Sequence, residues 1–263
     1  MKIGIVGCGW LGLPLAESLV KAGHEVVGST TREEKLETLS LKGIEPILFH
    51  LNPMPEGLNF NRLFQVDLLI INIPPGRKKN TPEFYEEQIK YLKYQLLSSD
   101  VKKVIFISST SYYPNSNKKV TVNTPFDFSN GSTKAVVKGE QQISQIDQSL
   151  MILRCGGLMG KDRIPGKWFA GKPTKGADTP VNYIHLEDII NVVKSSIETW
   201  PEDLKRQTLN LVSDHHPTRK EIYGKMAERY SFDLPIWEDP SNISSKVVES
   251  SFKDFGLKSP LDY

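Results

Sequence analysis

KIGIVGCGWLGLPLAESLV, residues 2–20, holds three glycines between an apolar run of strand length and a pattern of helical period. Gly7, Gly9 and Gly12 form a G-x-G-x-x-G motif, and a second apolar run ends at Gly28. Such a motif is a weak indication alone, but its position between a strand and a helix is typical of a turn that binds a dinucleotide. The alternative is a turn with a purely structural function.

Each glycine of this loop has its own predicted function. Gly7 permits the tight turn, Gly9 lets the backbone approach a pyrophosphate, and Gly12 allows the helix to pack close to the strand. The helix N-terminus offers unpaired N–H groups to the anion. Together with the intervening Trp10 and Leu11, these glycines are predicted to bind the cofactor.

The second apolar run ends in VVGSTTRE, residues 26–33, where an NAD site normally presents a carboxylate to the ribose 2′-hydroxyl. This chain has hydroxyls and a guanidinium there instead, from Ser29, Thr30, Thr31 and Arg32. An arginine pairs with phosphate oxygens, whereas a carboxylate repels them. The segment therefore predicts NADP as the cofactor in preference to NAD. The alternative is that Arg32 is a solvated charge near a helix start.

A further loop that is predicted to reach the cofactor is INIPPG, residues 71–76. Its Pro-Pro-Gly turn follows an apolar run, and ligands of open α/β sheets bind at the carboxyl ends of strands. Pro74 is therefore predicted to flank the cofactor. A simple strand terminator explains the same residues almost as well.

The composition indicates a globular protein, with 24% charged and 38% hydrophobic residues and a formal net charge of +2 over 263 residues. These values argue against a disordered chain, a nucleic-acid-binding tail and a polybasic membrane patch. The two cysteines, Cys8 and Cys155, make no disulfide framework and have no metal-ligand spacing. We therefore predict a cytoplasmic protein with no metal and with neither a nucleic-acid nor a membrane partner.

Seven apolar runs of strand length alternate with helical periodicity along the chain. They lie at 2–6, 24–28, 45–49, 67–72, 103–107, 150–153 and 208–212. Strands that alternate with helices imply right-handed βαβ units, and so predict an α/β fold with a Rossmann-type, doubly wound parallel sheet. After Thr81, the residues Tyr85, Ile89, Leu92 and Leu96 recur at helical spacing, which predicts a helix that packs this face on the sheet.

The alternation stops after residue 156, where glycines and prolines punctuate a basic segment longer than a simple connection. Such a segment is typical of a lid or a binding loop. We predict a dinucleotide-binding Rossmann domain at 1–155 and a small C-terminal substrate lobe at 156–263, from which 183–213 returns to the sheet.

Three further stretches carry a family resemblance: KKVIFISSTSYYP at 102–114, ILRCGGLMG at 152–160 and VNYIHLEDII at 181–190. With the glycine loop they resemble the short-chain dehydrogenase/reductase superfamily, and more narrowly its extended and atypical branch of NAD-dependent epimerases and dehydratases. The resemblance covers residue 2 to about residue 230. It implies a Rossmann sheet whose fifth strand delivers a hydroxyl beside the nicotinamide.

The resemblance places Ser109 at that hydroxyl and Tyr113 at the position of the motif's aromatic residue. Of the neighbours, Ser108 is predicted to contact the cofactor and Thr110 the substrate. The family also uses a tyrosine and a lysine four residues apart on the next helix. The tyrosine transfers a proton, while the lysine lowers the pKa of the tyrosine and holds the ribose.

That helix reads SNGSTKAVVKGEQQI at 129–143 and contains no tyrosine. If its Glu-Gln pair sets the register, Ser132 and Val136 replace the catalytic pair; if Lys134 is the lysine, Asn130 replaces the tyrosine. Either alignment loses the proton carrier, whose contribution to the rate is typically about 10²–10⁴-fold.

Substitute catalytic groups are expected near the carboxyl ends of strands five and six. The candidates are Ser109, Tyr113 and Lys134, with Tyr112 as a further one. The alternatives are that Tyr113 packs its ring under the loop, and that Lys134 contacts a ribose or phosphate or is solvated.

Substrate binding is assigned to Thr110, Arg154, Arg163 and Trp168. The last two lie in the basic loop, where an aromatic pair among lysines suits a phosphorylated or nucleotide-linked substrate; a solvated loop anchored by Trp168 is the alternative. Arg154, directly after the sixth strand, is predicted to pair with a carboxylate or phosphate of the substrate. The alternative is that it ties a loop to a carbonyl. His185 and Asp188 are interpreted as structural.

Two functions fit these features. The first is an NADP-dependent oxidoreductase or epimerase that acts on a sugar-derived or other small carbonyl or hydroxyl compound. The second is an NADP-binding sensor or regulatory protein without catalysis. The lid-like loop favours the first function, and the missing tyrosine favours the second. The family often forms dimers through paired helices, so a homodimer is a further expectation.

Overall fold

A parallel seven-stranded sheet, flanked by helices, organises the computed structural model, which describes residues 1–76 and 80–263. Its strands are β1 (Lys2–Val6), β2 (Glu25–Thr30), β3 (Ile44–Leu48), β4 (Leu68–Ile71), β5 (Lys103–Ser109), β6 (Ser149–Cys155) and β7 (Arg206–Leu211). The strand order is β7-β6-β5-β4-β1-β2-β3, and Ile3 of β1 pairs with Val26 of β2 and Leu68 of β4. The predicted Rossmann-type α/β fold is confirmed.

The strands begin within two residues of the predicted apolar runs. At their carboxyl ends β2, β5 and β6 each continue two residues beyond the predicted runs, and β2 does so through Ser29 and Thr30. Both hydroxyl residues therefore lie on the strand, where the backbone of Thr30 pairs opposite Leu48 of β3.

The helices are α1 (Gly12–Lys21), α2 (Leu36–Leu41), α3 (Pro82–Leu97), α4 (Lys134–Ile143), α5 (Leu186–Glu198) and α6 (Arg219–Tyr230). Four short ladders complete the secondary structure: His50–Leu51 with Pro55–Glu56, Lys119–Val120 with Val247–Val248, Gly157–Met159 with Tyr183–His185, and Pro173–Lys175 with Ile236–Glu238. Within the described residues, no helix is both long and apolar enough to cross a membrane.

The chain divides into two compact units. The first comprises Met1–Ser108, Lys134–Leu153 and Lys194–Thr208, and the second comprises Ser109–Thr133, Arg154–Val193 and Leu209–Tyr263. This division differs from a simple boundary at residue 155, because Ser109–Thr133 belongs with the second unit. The assignment of a substrate function to the C-terminal lobe stays a prediction.

Helix α3 packs into the core of the first unit through the face that the sequence spacing predicts. Its buried residues include Tyr85, Ile89, Leu92 and Leu96. The helix begins where expected, because the hydroxyl of Thr81 accepts the N–H of Phe84 at 3.2 Å and Pro82 occupies the first turn. The apolar spacing and the residues at the helix start were therefore sufficient to predict α3.

The second unit has an apolar cluster around α6. Ile222 and Met226 of this helix pack against Met159 and Ile164. A capping box starts the helix: the Thr218 hydroxyl accepts the N–H of Glu221, whose carboxylate accepts the backbone N–H of Thr218.

Candidate functional site

A cleft of about 310 Å³ opens in the first unit at the carboxyl ends of β1, β2 and β4. Six residues predicted to bind the cofactor line it, namely Gly7, Gly9, Thr30, Thr31, Arg32 and Pro74. Four others are not among its described lining residues: Trp10, Leu11, Gly12 and Ser108. The structure therefore brings together the glycine loop, the end of β2 and the turn after β4, as the sequence predicts.

The glycine loop needs glycine at two positions for steric reasons. Gly7 has a φ of +103°, and a Cβ there would lie 2.6 Å from the carbonyl oxygen of Asn72. At Gly12 a Cβ would lie 2.1 Å from the carbonyl oxygen of Gly7. Gly9 differs, because a Cβ on it meets no atom within 4 Å. Its backbone faces open space in the cleft, as close approach by a pyrophosphate requires.

Two side chains hold the backbone of Gly7 from opposite strands. The hydroxyl oxygen of Ser29, on β2, accepts the N–H of Gly7 at 2.9 Å, and the amide nitrogen of Asn72, after β4, donates to its carbonyl at 3.1 Å. Ser29 is only 2% exposed. Its hydroxyl, which the sequence suggested for a 2′-phosphate, therefore braces the loop instead. The function of Asn72 was not predictable from sequence, because its partner lies 65 residues away.

Replacing Ser29 with alanine is expected to weaken NADPH binding about tenfold and to lower the melting temperature. The part-buried N–H of Gly7 would lose its partner, which costs about 1–3 kcal/mol. Fluorescence titration and thermal unfolding measure the two effects. Ser40→Ala, on the exposed side of α2, is the matched control. An unchanged affinity in Ser29→Ala would contradict the bracing function.

The end of the cleft beside β2 is positively charged. Arg32 and Lys35 both line it, and no carboxylate side chain does so among the described residues. Arg32 is largely exposed and lies 3.8 Å from Glu34, an ion pair that solvent weakens. The hydroxyl oxygen of Thr30 accepts the backbone N–H of Arg32 at 3.2 Å, which fixes the turn that carries the guanidinium.

Lys35 is a lining residue that sequence reasoning missed. It closes the short 3₁₀ helix Glu33–Lys35, three residues after Arg32. Arg32 is the N-cap of this helix and has extended backbone, so the only available signal was that Lys35 closely follows Arg32 in sequence.

The apolar wall of the cleft combines Phe49 and Leu51, which sequence reasoning missed, with Ile73 of the predicted loop 71–76. Phe49, Leu51 and Ile73 line it, and two side chains of α3 hold their backbones. Gln88 donates its amide N–H to the carbonyl of Leu51 at 2.6 Å, and Tyr85 donates its hydroxyl to the carbonyl of Ile73 at 3.2 Å. Helix α3 thus positions the turn that carries Pro74.

Cys8 lies in the glycine loop without being a reactive thiol. Burial raises the pKa of Cys8 to about 12, so the thiol stays protonated at neutral pH and is no nucleophile. Among residues 1–76 and 80–263, no group of three or more acidic, histidine or cysteine side chains could hold a metal ion. The cleft therefore offers backbone donors and cations rather than a nucleophile or a metal site.

The hydroxyl of Ser108 makes a hydrogen bond within the protein, which differs from the predicted contact with the cofactor. This hydroxyl donates to Oε1 of Glu140 at 2.5 Å, and Glu140 is buried on α4. This bond ties α4 to the end of β5 within the first unit. The contact between Ser108 and a cofactor stays a prediction.

In the second unit, Ser109 starts the short 3₁₀ turn Thr110–Tyr112. Its hydroxyl oxygen accepts the backbone N–H of Ser111 at 3.2 Å and the hydroxyl of Ser111 at 3.0 Å. Because Ser109 accepts in both bonds, its own proton remains for donation to a ligand. Thr110 is 7% exposed.

Tyr113 is fully buried and its hydroxyl is engaged on both sides. The hydroxyl donates to Oδ1 of Asn210 at 2.6 Å and accepts from Nη1 of Arg154 at 2.8 Å. The guanidinium of Arg154 lies 3.5 Å from the ring centroid of Tyr112, and its Nη1 also reaches the carbonyl of Val122 at 3.4 Å. These contacts favour the structural alternatives for Tyr113 and Arg154 over proton transfer and substrate binding.

Tyr113→Phe is expected to lower the free energy of unfolding by about 1–3 kcal/mol and to leave NADPH affinity unchanged, because buried partners lose a hydrogen bond. Denaturant unfolding measures the first effect and a binding titration the second. Tyr112→Phe keeps the ring that packs on Arg154 and is the matched control. A stable Tyr113→Phe protein that has lost only turnover would instead identify Tyr113 as catalytic.

The residues of 129–143 form no proton-transferring pair in either predicted register, and Asn130 and Ser132 lie before α4, which begins only at Lys134. Val136 is buried, and the hydroxyl oxygen of Ser132 accepts the backbone N–H of Asp127 at 2.9 Å. Lys134 is exposed and lies 3.6 Å from Glu83. In the second register, Asn130 donates its amide to the carboxylate of Asp127 at 2.6 Å.

The basic loop presents Trp168 to solvent with 57% of its surface exposed. Its neighbour Phe169 stacks on Tyr223 at 5.8 Å between ring centroids, which anchors the loop to α6. Arg163 lies in a tight turn whose backbone pairs with Gly160. Substrate binding by Trp168 and Arg163 stays a prediction.

His185 and Asp188 lie together in the second unit. The His185 ring stacks on Tyr263 with 3.5 Å between centroids. Burial lowers the pKa of His185 and raises the pKa of Asp188. The structural interpretation of both residues stays a prediction.

The fold and the glycine-loop cleft define a Rossmann-type protein of the NAD-binding class. Residues 2–123 match the family described as the NAD binding domain of 6-phosphogluconate dehydrogenase.

Over its whole length the chain is similar to Protein YeeZ of Escherichia coli strain K12. The two are 32% identical over 254 residues, which is 95% of this chain and 92% of the relative, and the O157:H7 protein gives the same values. The chain therefore belongs to the family of Protein YeeZ.

Solved structures confirm the resemblance to epimerases and dehydratases at the level of the fold. MoeE5, solved with UDP-glucuronic acid and NAD, has a TM-score of 0.78 and 15% identity, with 98% of this chain and 92% of that chain covered. UDP-glucuronic acid 4-epimerase from Bacillus cereus, solved with NAD, has a TM-score of 0.73 and 17% identity, with 100% and 95% covered.

Proposed function

We propose that this protein is an NADP(H)-dependent oxidoreductase or epimerase that acts on a sugar-derived or other small carbonyl or hydroxyl compound. The dinucleotide lies in the cleft of the first unit, with its pyrophosphate at Gly9 and the start of α1. The glycine loop supports this placement, because it is braced by Ser29 and Asn72 and open at Gly9.

The observation that carries the cofactor preference is the charge of the cleft beside β2. Arg32 and Lys35 line it, and the described lining contains no carboxylate. A 2′-phosphate pairs with such cations, while the 2′-hydroxyl of NAD lacks the carboxylate that would accept its hydrogen bond. MoeE5 and the Bacillus cereus epimerase were solved with NAD, so the proposal separates this chain from those proteins in its cofactor.

Polarisation of the substrate is assigned to Ser109. Its hydroxyl accepts from Ser111 and keeps its own proton to donate to a carbonyl oxygen. The bond from Ser111 strengthens that donation, since hydrogen bonds in a chain polarise one another. This arrangement uses no tyrosine on α4.

Titration of the purified protein with NADPH and with NADH tests the cofactor assignment. Tight NADPH binding with much weaker NADH binding is the expected result. Binding of neither dinucleotide would end the proposal, and preference for NADH would reverse the cofactor assignment.

A sensor without catalysis is the second candidate, and one observation favours it. Ser132 and Val136, or Asn130 and Lys134, stand where the family has its catalytic tyrosine and lysine, and their side chains are buried or paired. A spectroscopic screen of NADPH consumption with aldehydes, ketones and nucleotide sugars separates the two candidates. Tight NADPH binding with no consumption throughout the screen would favour the sensor.

A further inference from the structure

The second unit contains a cavity of about 290 Å³ whose described lining shares no residue with the dinucleotide cleft. Residues from four separate segments line it, including Thr110, Asn115, Thr179, Arg219, Ser245 and Lys246. Most of these side chains are polar, and the lining combines two cations with hydroxyl and amide groups. No carboxylate side chain lines the cavity among the described residues.

The two cations are held in place by backbone carbonyls. Lys246 donates from Nζ to the carbonyl of Tyr113 at 2.7 Å and to Oδ1 of Asn115 at 3.1 Å. Arg219 donates from Nη1 to the carbonyl of Lys175 at 3.1 Å. Fixed cations lose little side-chain entropy when a ligand binds, so the cavity is preorganised for negative charge.

Neutral donors complete the lining. The amide oxygen of Asn115 accepts from Lys246, which orients the amide nitrogen as a donor. Thr110 adds a buried hydroxyl. The backbone N–H of Arg219 already donates to the carbonyl of Thr179 at 3.0 Å. An anion would therefore bind through side chains rather than through the start of α6.

We propose that this cavity binds a phosphate or carboxylate group of the substrate. The proposal rests on the proposed function, because it assumes a small-molecule substrate. Thr110 directly follows Ser109 in the chain, so the cavity and the hydroxyl assigned to polarisation share the turn after β5. The substrate is then an anionic carbonyl or hydroxyl compound, and neutral sugars are excluded.

Calorimetric titration with inorganic phosphate and, separately, with acetate tests the cavity without any dinucleotide. At least one anion is expected to bind the unaltered chain, and Arg219→Gln is expected to weaken that binding at least tenfold. Stronger binding of phosphate would identify a phosphorylated substrate, and stronger binding of acetate a carboxylate.

Lys220→Gln is the matched control, because Lys220 is adjacent and exposed, lies outside the lining and carries the same charge. Arg32→Gln is the control for the dinucleotide cleft. Lys220→Gln should bind the anion as the unaltered chain does, and Arg32→Gln should leave the Arg219-dependent part of the binding unchanged, because the cations beside β2 can themselves bind free phosphate. Should Arg219→Gln fail to fold, Thr110→Val removes a donor while keeping the side-chain shape and is expected to weaken binding severalfold.

If neither phosphate nor acetate binds, the proposal is overturned. Equal losses of anion binding in Arg219→Gln and Lys220→Gln would overturn it too. A loss in Arg32→Gln alone would place the anion in the dinucleotide cleft and overturn it as well. Failure of NADPH to bind, with phosphate still bound through Arg219, would remove the proposed function and leave the anion site intact.

Discussion

NADPH is expected to bind the double variant Arg32→Ala, Lys35→Ala about a hundredfold more weakly than the unaltered chain, while NADH binds both proteins equally. Each cation that reaches the 2′-phosphate makes a charge-assisted hydrogen bond, and at this exposed end of the cleft we take about tenfold for each. NADH has only an uncharged hydroxyl there, with no phosphate charge for the cations to neutralise. Parallel fluorescence titrations of the two dinucleotides measure the difference.

The control for this experiment must remove two positive charges elsewhere in the first unit. Lys21 and Lys42 lie outside the described lining, at the end of α1 and after α2, and their replacement by alanine lowers the net charge equally. The control protein should bind NADPH normally. Equal losses for NADPH and NADH in the Arg32 and Lys35 variant would show that these cations do not select the 2′-phosphate.

Gly12→Ala is expected to abolish dinucleotide binding and to lower the melting temperature by several degrees. The new Cβ would lie 2.1 Å from the carbonyl oxygen of Gly7, so the loop or α1 must move. Such overpacking costs about 1–3 kcal/mol. Thermal unfolding and NADPH titration of the same preparation measure both effects.

Gly9→Ala separates binding from stability in the same loop. A Cβ at Gly9 meets no atom within 4 Å, so the melting temperature should stay unchanged while NADPH affinity falls at least tenfold. Gly224→Ala on α6 also meets no atom within 4 Å, and it is the control that should leave binding intact. Normal NADPH binding by Gly9→Ala would show that the pyrophosphate does not approach this backbone.

The glycine loop, the strands and the buried face of α3 were predictable because short segments encode them. A φ of +103° at Gly7 requires glycine wherever the turn lies in the fold. The four-residue and three-residue spacing from Tyr85 to Leu96 specifies a helical face without knowledge of its neighbour. Arg32 was predictable because it follows β2 directly.

The functions of several side chains depended on partners far along the chain. Ser29 was expected to face a phosphate, but it braces Gly7, 22 residues away. Tyr113 was a candidate proton donor, but its hydroxyl bonds to Asn210, 97 residues away. Neither partner could be chosen from spacing, because hydrogen bonds between distant residues form only after the chain has packed.

The fold class and the dinucleotide loop of this protein thus follow from local periodicity and from the steric needs of glycine, both of which are properties of short stretches. The cavity that Thr110, Arg219 and Lys246 line is different in kind. Its three polar groups come from segments more than a hundred residues apart at the extremes, and only Thr110 was singled out from the sequence. Long-range packing brings these three groups together. Because a polar group buried without a partner costs free energy, the packing also decides which groups bond to the protein and which can bond to a ligand.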